Sequence, residues 1–126
     1  MGQGILICEN KHSLTKEEYQ LVHSLFSHIA LIESVESDQL SIAGMLSGCG
    51  PAFVSMFIEA LGDAGVKHGL SRPQAYALAE KMVLGTGSML LETGQHPAAL
   101  KDAVCSPKGS TSGGWPPWKA KACAPL

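Results

Sequence analysis

The sequence has little of what most recognition and catalytic surfaces are built from. Of its 126 residues, 16% are charged and 6% aromatic, and the net charge is −2. Such a balance sets up no basic field to draw nucleic acid or an anionic membrane. The basic residues are scattered, grouped weakly at Lys119 and Lys121 alone. The four cysteines, Cys8, Cys49, Cys105 and Cys123, form no Cys-x-x-Cys pair, which argues against a zinc ribbon and a disulfide scaffold. Reduced thiols and a cytoplasmic location are expected. His12, His23, His28, His68 and His96 show no His-x-x-x-His spacing, so surface or capping roles are expected and no metal is. No apolar run approaches the roughly 20 residues of a bilayer span, and no secretion signal opens the chain. Neither membrane nor nucleic acid is therefore an expected partner.

Also missing is a Gly-x-Gly-x-x-Gly that follows a strand and opens a helix. Gly48-Cys49-Gly50 has neither the preceding strand nor the ribose-binding acid, so it is no dinucleotide fingerprint. No cofactor is expected to bind this chain by itself. Asp38, Glu59, Asp63 and Asp102 are scattered along helical segments, where they solvate or cap, and no acid–base or nucleophile pair stands out. Catalytic residues are left unassigned.

What is present is helix. The 45% apolar content comes mostly from Ala, Leu, Val, Ile and Met, a composition suited to close helix–helix contact. Gly4 to Cys8 reads as a short strand and Ile29 to Val35 as a second that pairs with it. Between them, Thr15 and Glu18 form a capping box ahead of a helix reaching about His28. A helix opens near Glu36–Leu40 and is broken by Ser47 to Gly50; a second starts at Pro51 and reaches about His68, with Gly69 as its C-terminal glycine. Ala60, Gly62, Ala64 and Gly65 offer that helix a small-residue face. Ser71 and Gln74 cap the next helix, which ends near Gly94, and His96-Pro97 starts a short one ending near Val104. The fold class is an all-α helical bundle with a minor strand pair at its start.

Two stretches stand out. Ser47, Gly48, Gly50, Pro51 and Ala52 form a small, flexible entry to the apolar run up to Val66, which is hydrophobic on more than one face. Such a helix is buried, in a core or against a partner chain. Ser106-Pro107-Lys108-Gly109-Ser110-Thr111 combines hydroxyls with successive backbone N–H groups that can form a nest for a carboxylate. A Ser-Pro turn capping a helix is the plainer reading of the same residues.

Three blocks in order, Leu46–Phe53, Glu59–Leu70 and His96–Thr111, closely resemble the C-terminal dimerisation domain of the pyrroline-5-carboxylate reductase family. The resemblance runs from about Leu14 to Thr111. It implies an interlocked homodimer, or a larger homo-oligomer, built on the helices from Pro51 and Arg72. It also implies a reductase that uses NAD(P)H to convert 1-pyrroline-5-carboxylate to L-proline. The substrate carboxylate would be held by Ser106, Gly109, Ser110 and Thr111. Residues 1–12 read as the edge of a nucleotide-binding domain otherwise missing, residues 13–111 as the helical domain, and residues 112–126 as an aberrant, disordered tail. The isolated chain is accordingly expected to be inactive.

This chain departs from the family pattern at Lys108, where glycine is usual. A lysine there either strengthens carboxylate binding or strains a position needing positive φ. Cys49 replaces serine, Phe53 tyrosine and Gly44 threonine. After Thr111 the helical period is lost, and a neighbouring reading frame of back-translated DNA restores a family-like helix, which suggests a frameshift. A proline-rich tail that binds a partner is the other reading. Two alternatives for the whole chain are a non-catalytic helical oligomerisation module or truncated paralogue, and a helical domain of another β-hydroxyacid-dehydrogenase-like enzyme. The Ser-Pro-x-Gly loop argues against the second.

Overall fold

The computed structural model describes residues 2–109 and Thr111. Its elements run β1 (Gly4–Glu9), α1 (Lys16–Phe26), β2 (Ala30–Val35), a single 3-10 turn (Ser37–Gln39), α2 (Leu40–Lys67), α3 (Arg72–Thr93) and α4 (Pro97–Val104). The chain divides into two compact units, Met1–Ala64 and Gly65–Leu126. The expected tail, residues 112–126, lies outside the described residues.

In the first unit β1 and β2 pair in parallel, with Ile5 opposite Leu31 and Ile7 opposite Glu33. A parallel pair needs a crossover, and α1 supplies it. The helix begins where its cap dictates. Thr15 Oγ1 accepts the Glu18 N–H at 3.2 Å and Glu18 Oε2 accepts the Thr15 N–H at 2.8 Å, a complete capping box. These bonds hold the Glu18 carboxyl below its ordinary 4.5, the backbone bond to Thr15 counting most and the Thr15 side chain next. The Tyr19 hydroxyl meets Ser34 Oγ at 3.1 Å and ties α1 to β2, while the His12 ring stacks on Tyr19 at 4.9 Å.

Alternation along the strands puts Ile5, Ile7, Leu31, Glu33 and Val35 on one face. With Ala43, Leu46 and Ser47 of α2 they line an open apolar groove of about 200 Å³. At the ends of the strands Asn10 Nδ2 donates to Glu36 Oε1 at 2.7 Å, and the Gln39 side chain accepts the Glu36 N–H.

α2 departs from the sequence reading. Ser47 to Gly50 does not break it, and Pro51 lies inside one continuous helix of 28 residues rather than at the start of a second. Proline removes one backbone donor and normally pushes the residue before it out of the helical region, through a clash with that residue's Cβ. Gly50 has no Cβ, so that part of the clash is absent. Two hydroxyls fold back on the same stretch: Ser47 Oγ donates to the Ala43 carbonyl at 2.9 Å and Ser55 Oγ to the Pro51 carbonyl at 2.8 Å. Joined in this way, Ser37–Lys67 is long and apolar enough to cross a membrane by length and composition alone, with a window of mean hydropathy 1.5. The expectation that no segment approaches a span fails because the supposed break concealed the helix's length.

In the second unit the local signals hold. Gly69 at φ 98° ends the turn after α2, and the Gly65 carbonyl accepts the Leu70 N–H at 3.0 Å. The Gln74 side chain accepts the Ser71 N–H at 3.2 Å and opens α3. Gly94, at φ 62°, closes it with its N–H on the Leu90 carbonyl. His96 caps α4, its Nδ1 accepting the Ala98 N–H at 3.2 Å. Among the described residues only Gly62, Ala75 and Ala79 are buried.

Candidate substrate loop and helical interface

The loop after α4 is a hydrogen-bonded turn. The Gly109 N–H donates to the Ser106 carbonyl at 3.0 Å, so Pro107 and Lys108 occupy its two central positions. Lys108 has φ 59° and is the one non-glycine residue with positive φ among the described residues. Proline second and positive φ third is the pattern of a type II turn, in which glycine is the usual third residue. Gly109 is needed for another reason. A Cβ built on it would run into Ser106 Oγ and come within 3.2 Å of the Ser106 carbonyl oxygen. Ser106 and Thr111 are exposed and Gly109 half-buried, whereas Ser110 lies outside the described residues. Ser106 and Gly109 are thus brought together, with the Ser106 hydroxyl over the Gly109 backbone. Upstream, Lys101 pairs with Asp102 at 2.6 Å, which leaves Asp102 a surface role.

The other motif residues share a helix rather than a loop. Ser47 and Gly50 are half-buried, and Gly48, Pro51 and Ala52 are exposed. A Cβ placed on Gly48 or Gly50 would meet no atom within 4 Å, and the same holds for Gly85 and Gly87 on α3. Large apolar side chains near them face outward: Leu46 is 78% exposed, Phe53 65%, Met56 66% and Leu91 75%. Singly exposed apolar residues are ordinary, but large clustered apolar surface marks an interaction site. Among the described residues α2 is not sunk in a core of its own unit, which leaves a partner chain as the reading of an all-round apolar helix.

The family model for pyrroline-5-carboxylate reductase dimerisation matches residues 37–123. The chain belongs to this family. The match spans α2, α3, α4 and the turn at Ser106, and runs past Thr111, where the helical period in the sequence fades. Among relatives, pyrroline-5-carboxylate reductase of Treponema pallidum (strain Nichols) is 46% identical over 88% of this chain and 42% of its own length. That of Escherichia coli (strain K12) is 44% identical over 78% of this chain and 36% of its own. The crystal structure of the Plasmodium falciparum pyrroline carboxylate reductase with NADP bound superposes with a TM-score of 0.81 at 35% identity, covering 96% of this chain and 49% of that one. The Coxiella burnetii pyrroline-5-carboxylate reductase gives 0.82 at 31% identity, over 90% and 43%. The chain thus spans less than half the length of these relatives.

The connection from β1 to α1 carries no pyrophosphate-binding glycine pattern. In pyrophosphate-binding crossovers, glycines let the backbone approach the phosphates. Here the connection from β1 to α1, Asn10 to Thr15, has none, and the nearby Glu36 carboxylate is taken by Asn10. Among the described residues no three of His, Cys, Asp or Glu gather to hold a metal ion. Sequence reasoning missed the continuity of α2 through Pro51; the signal that could have shown it is the glycine immediately before the proline.

Proposed function

We propose that this chain is the dimerisation and substrate-binding part of a cytoplasmic pyrroline-5-carboxylate reductase, which reduces the C=N bond of 1-pyrroline-5-carboxylate with NAD(P)H to give L-proline. The observation that carries the reading is the match of α2 through α4 to the reductase dimerisation family, on helices whose apolar residues face outward. A second copy covers those helices in a homodimer or a larger homo-oligomer. The helices from Leu40 on form the helical domain, and β1, paired with β2 through the α1 crossover, is the edge of a nucleotide-binding domain that holds the cofactor with residues outside this chain. The boundary expected at residue 12 moves to the end of β2 because the two strands pair. Ser106, Gly109, Ser110 and Thr111 hold the substrate carboxylate, the serine and threonine hydroxyls donating to it while Gly109, whose N–H closes the turn on the Ser106 carbonyl, leaves room for it. Hydride chemistry belongs to the nicotinamide, and the protein's part is to orient the imino acid beneath it.

Binding of L-proline to the purified chain, followed through the Ser106–Gly109 amides, tests the site. The reading expects saturable binding by a self-associated chain and no proline formation from 1-pyrroline-5-carboxylate and NADPH by that chain alone. A folded chain that binds no proline contradicts the substrate role. Turnover by the chain alone contradicts the assignment of the cofactor to other residues.

A further inference from the structure

Lys108 breaks a local rule, and the break sits in the loop just assigned to the substrate. Its φ of 59° is a conformation that residues with a Cβ rarely adopt. The turn could be made at no steric cost by glycine, which is the usual residue at such a position. Backbone conformations of this kind cluster at ligand clamps and active sites, where the surroundings over-determine them. The side chain carried at this cost is exposed, and no carboxylate among the described residues pairs with it. The nearest acidic residue in sequence, Asp102, is already paired with Lys101 at 2.6 Å. The turn itself is rigid: the Gly109 N–H is bonded to the Ser106 carbonyl, and Ser106 Oγ lies against Gly109. The lysine stem therefore leaves a hydrogen-bonded turn next to the Ser106 hydroxyl, with an ammonium that no carboxylate among the described residues pairs.

We propose that Lys108 is a specificity-determining residue of this loop, its ammonium adding a direct charge partner for the carboxylate of a small imino or amino acid. The proposal rests on the reading of Ser106–Thr111 as the carboxylate loop. Neutral donors fix where the carboxylate lies, and the lysine adds a salt-dependent attraction that favours acids over their uncharged analogues. An exposed ion pair of this kind changes affinity by a modest factor, about threefold to fivefold.

The test titrates the full chain with L-proline, and with pyrrolidine as the analogue lacking the carboxylate, at low and high salt. The wild type, Lys108→Gly and Lys108→Arg are compared. Lys108→Gly is expected to bind proline about threefold to fivefold more weakly at low salt, with the gap closing at high salt. Lys108→Arg is expected to stay within twofold of the wild type, and pyrrolidine to bind no differently across the three. Because glycine is the natural occupant of this turn position, Lys108→Gly preserves the fold. Equal proline affinity of wild type and Lys108→Gly at low salt overturns the lysine's role and leaves the loop assignment standing. Absence of proline binding to every variant overturns the loop assignment, and the lysine's role with it.

Discussion

A Cβ built on Gly65 would lie 2.9 Å from the Ala75 Cβ and 3.3 Å from Leu70 Cδ1. Gly65 closes α2, Ala75 opens α3, and the space between them holds no methyl group. Ala75 is one of the few buried residues, at 4% exposure, so it has little room to retreat. Gly65→Ala gains roughly 1 kcal/mol in helix propensity and loses about 1–3 kcal/mol to overpacking. The net expectation is a loss of up to about 2 kcal/mol, read as a lowered midpoint in chemical denaturation. A raised midpoint would show that the two helix ends separate freely.

Gly48 and Gly85 set the opposite case, since added atoms there meet nothing in their own chain. Within one subunit Gly85→Ala is worth about 1 kcal/mol of added helix stability. A bulkier Gly85→Leu is expected to retain helicity by circular dichroism and to weaken self-association at least tenfold, because a second copy needs the close approach. Unaltered self-association would place the interface elsewhere.

Pro51 costs α2 the N–H that would reach the Ser47 carbonyl. Pro51→Ala restores it, and with Gly50 already removing the Cβ part of the clash, a gain of about 1–2 kcal/mol is expected, less than the roughly 3 kcal/mol of an unrelieved interior proline. A thermal melt of the two proteins measures it. A stability loss would mean that the proline ring is itself packed.

Much of this fold is legible because its signals are local. Thr15 with Glu18, Ser71 with Gln74, Gly94 after α3 and Pro97 at the start of α4 each settle a helix end by bonds spanning a few residues. The break expected at Ser47–Gly50 failed because small residues followed by a proline fit a helix start at Pro51 as well as a helix interior, where Gly50 spares the proline ring a Cβ. Pairing of β1 with β2 was legible, but its parallel register depends on α1 as a crossover, which is a long-range fact. In the loop, sequence alone left Lys108 between a strained residue and a binding residue. The backbone itself, with φ 59° at Lys108, puts the residue in the strained region; the residue types by themselves did not fix this, since a turn closed by the same bond can also be made with negative φ there.

The capping box of α1 predicts a pH dependence with a definite sign. The Glu18 carboxyl is held below its ordinary 4.5 by the Thr15 N–H and hydroxyl. A lowered value in the folded state means the contribution is present above 4.5 and fades as pH falls through the lowered value. The first turn of α1 is therefore expected to be unaffected down to about pH 5 and to fray progressively below it. Glu18→Gln, which keeps an acceptor for the Thr15 N–H, is expected to flatten that part of the acid profile. The Glu18 side-chain carbon shift against pH checks this; a midpoint at or above 4.5 would contradict the observed bonding.

The central claim is that a second copy of this chain covers the outward apolar residues of α2 and α3. Sedimentation equilibrium of the purified chain across nanomolar to micromolar concentration tests it most directly. The account predicts a species of at least twice the 13.2 kDa chain mass at micromolar concentration, losing helix signal as it dissociates on dilution. A fully helical single chain of 13.2 kDa that persists at micromolar concentration would contradict it.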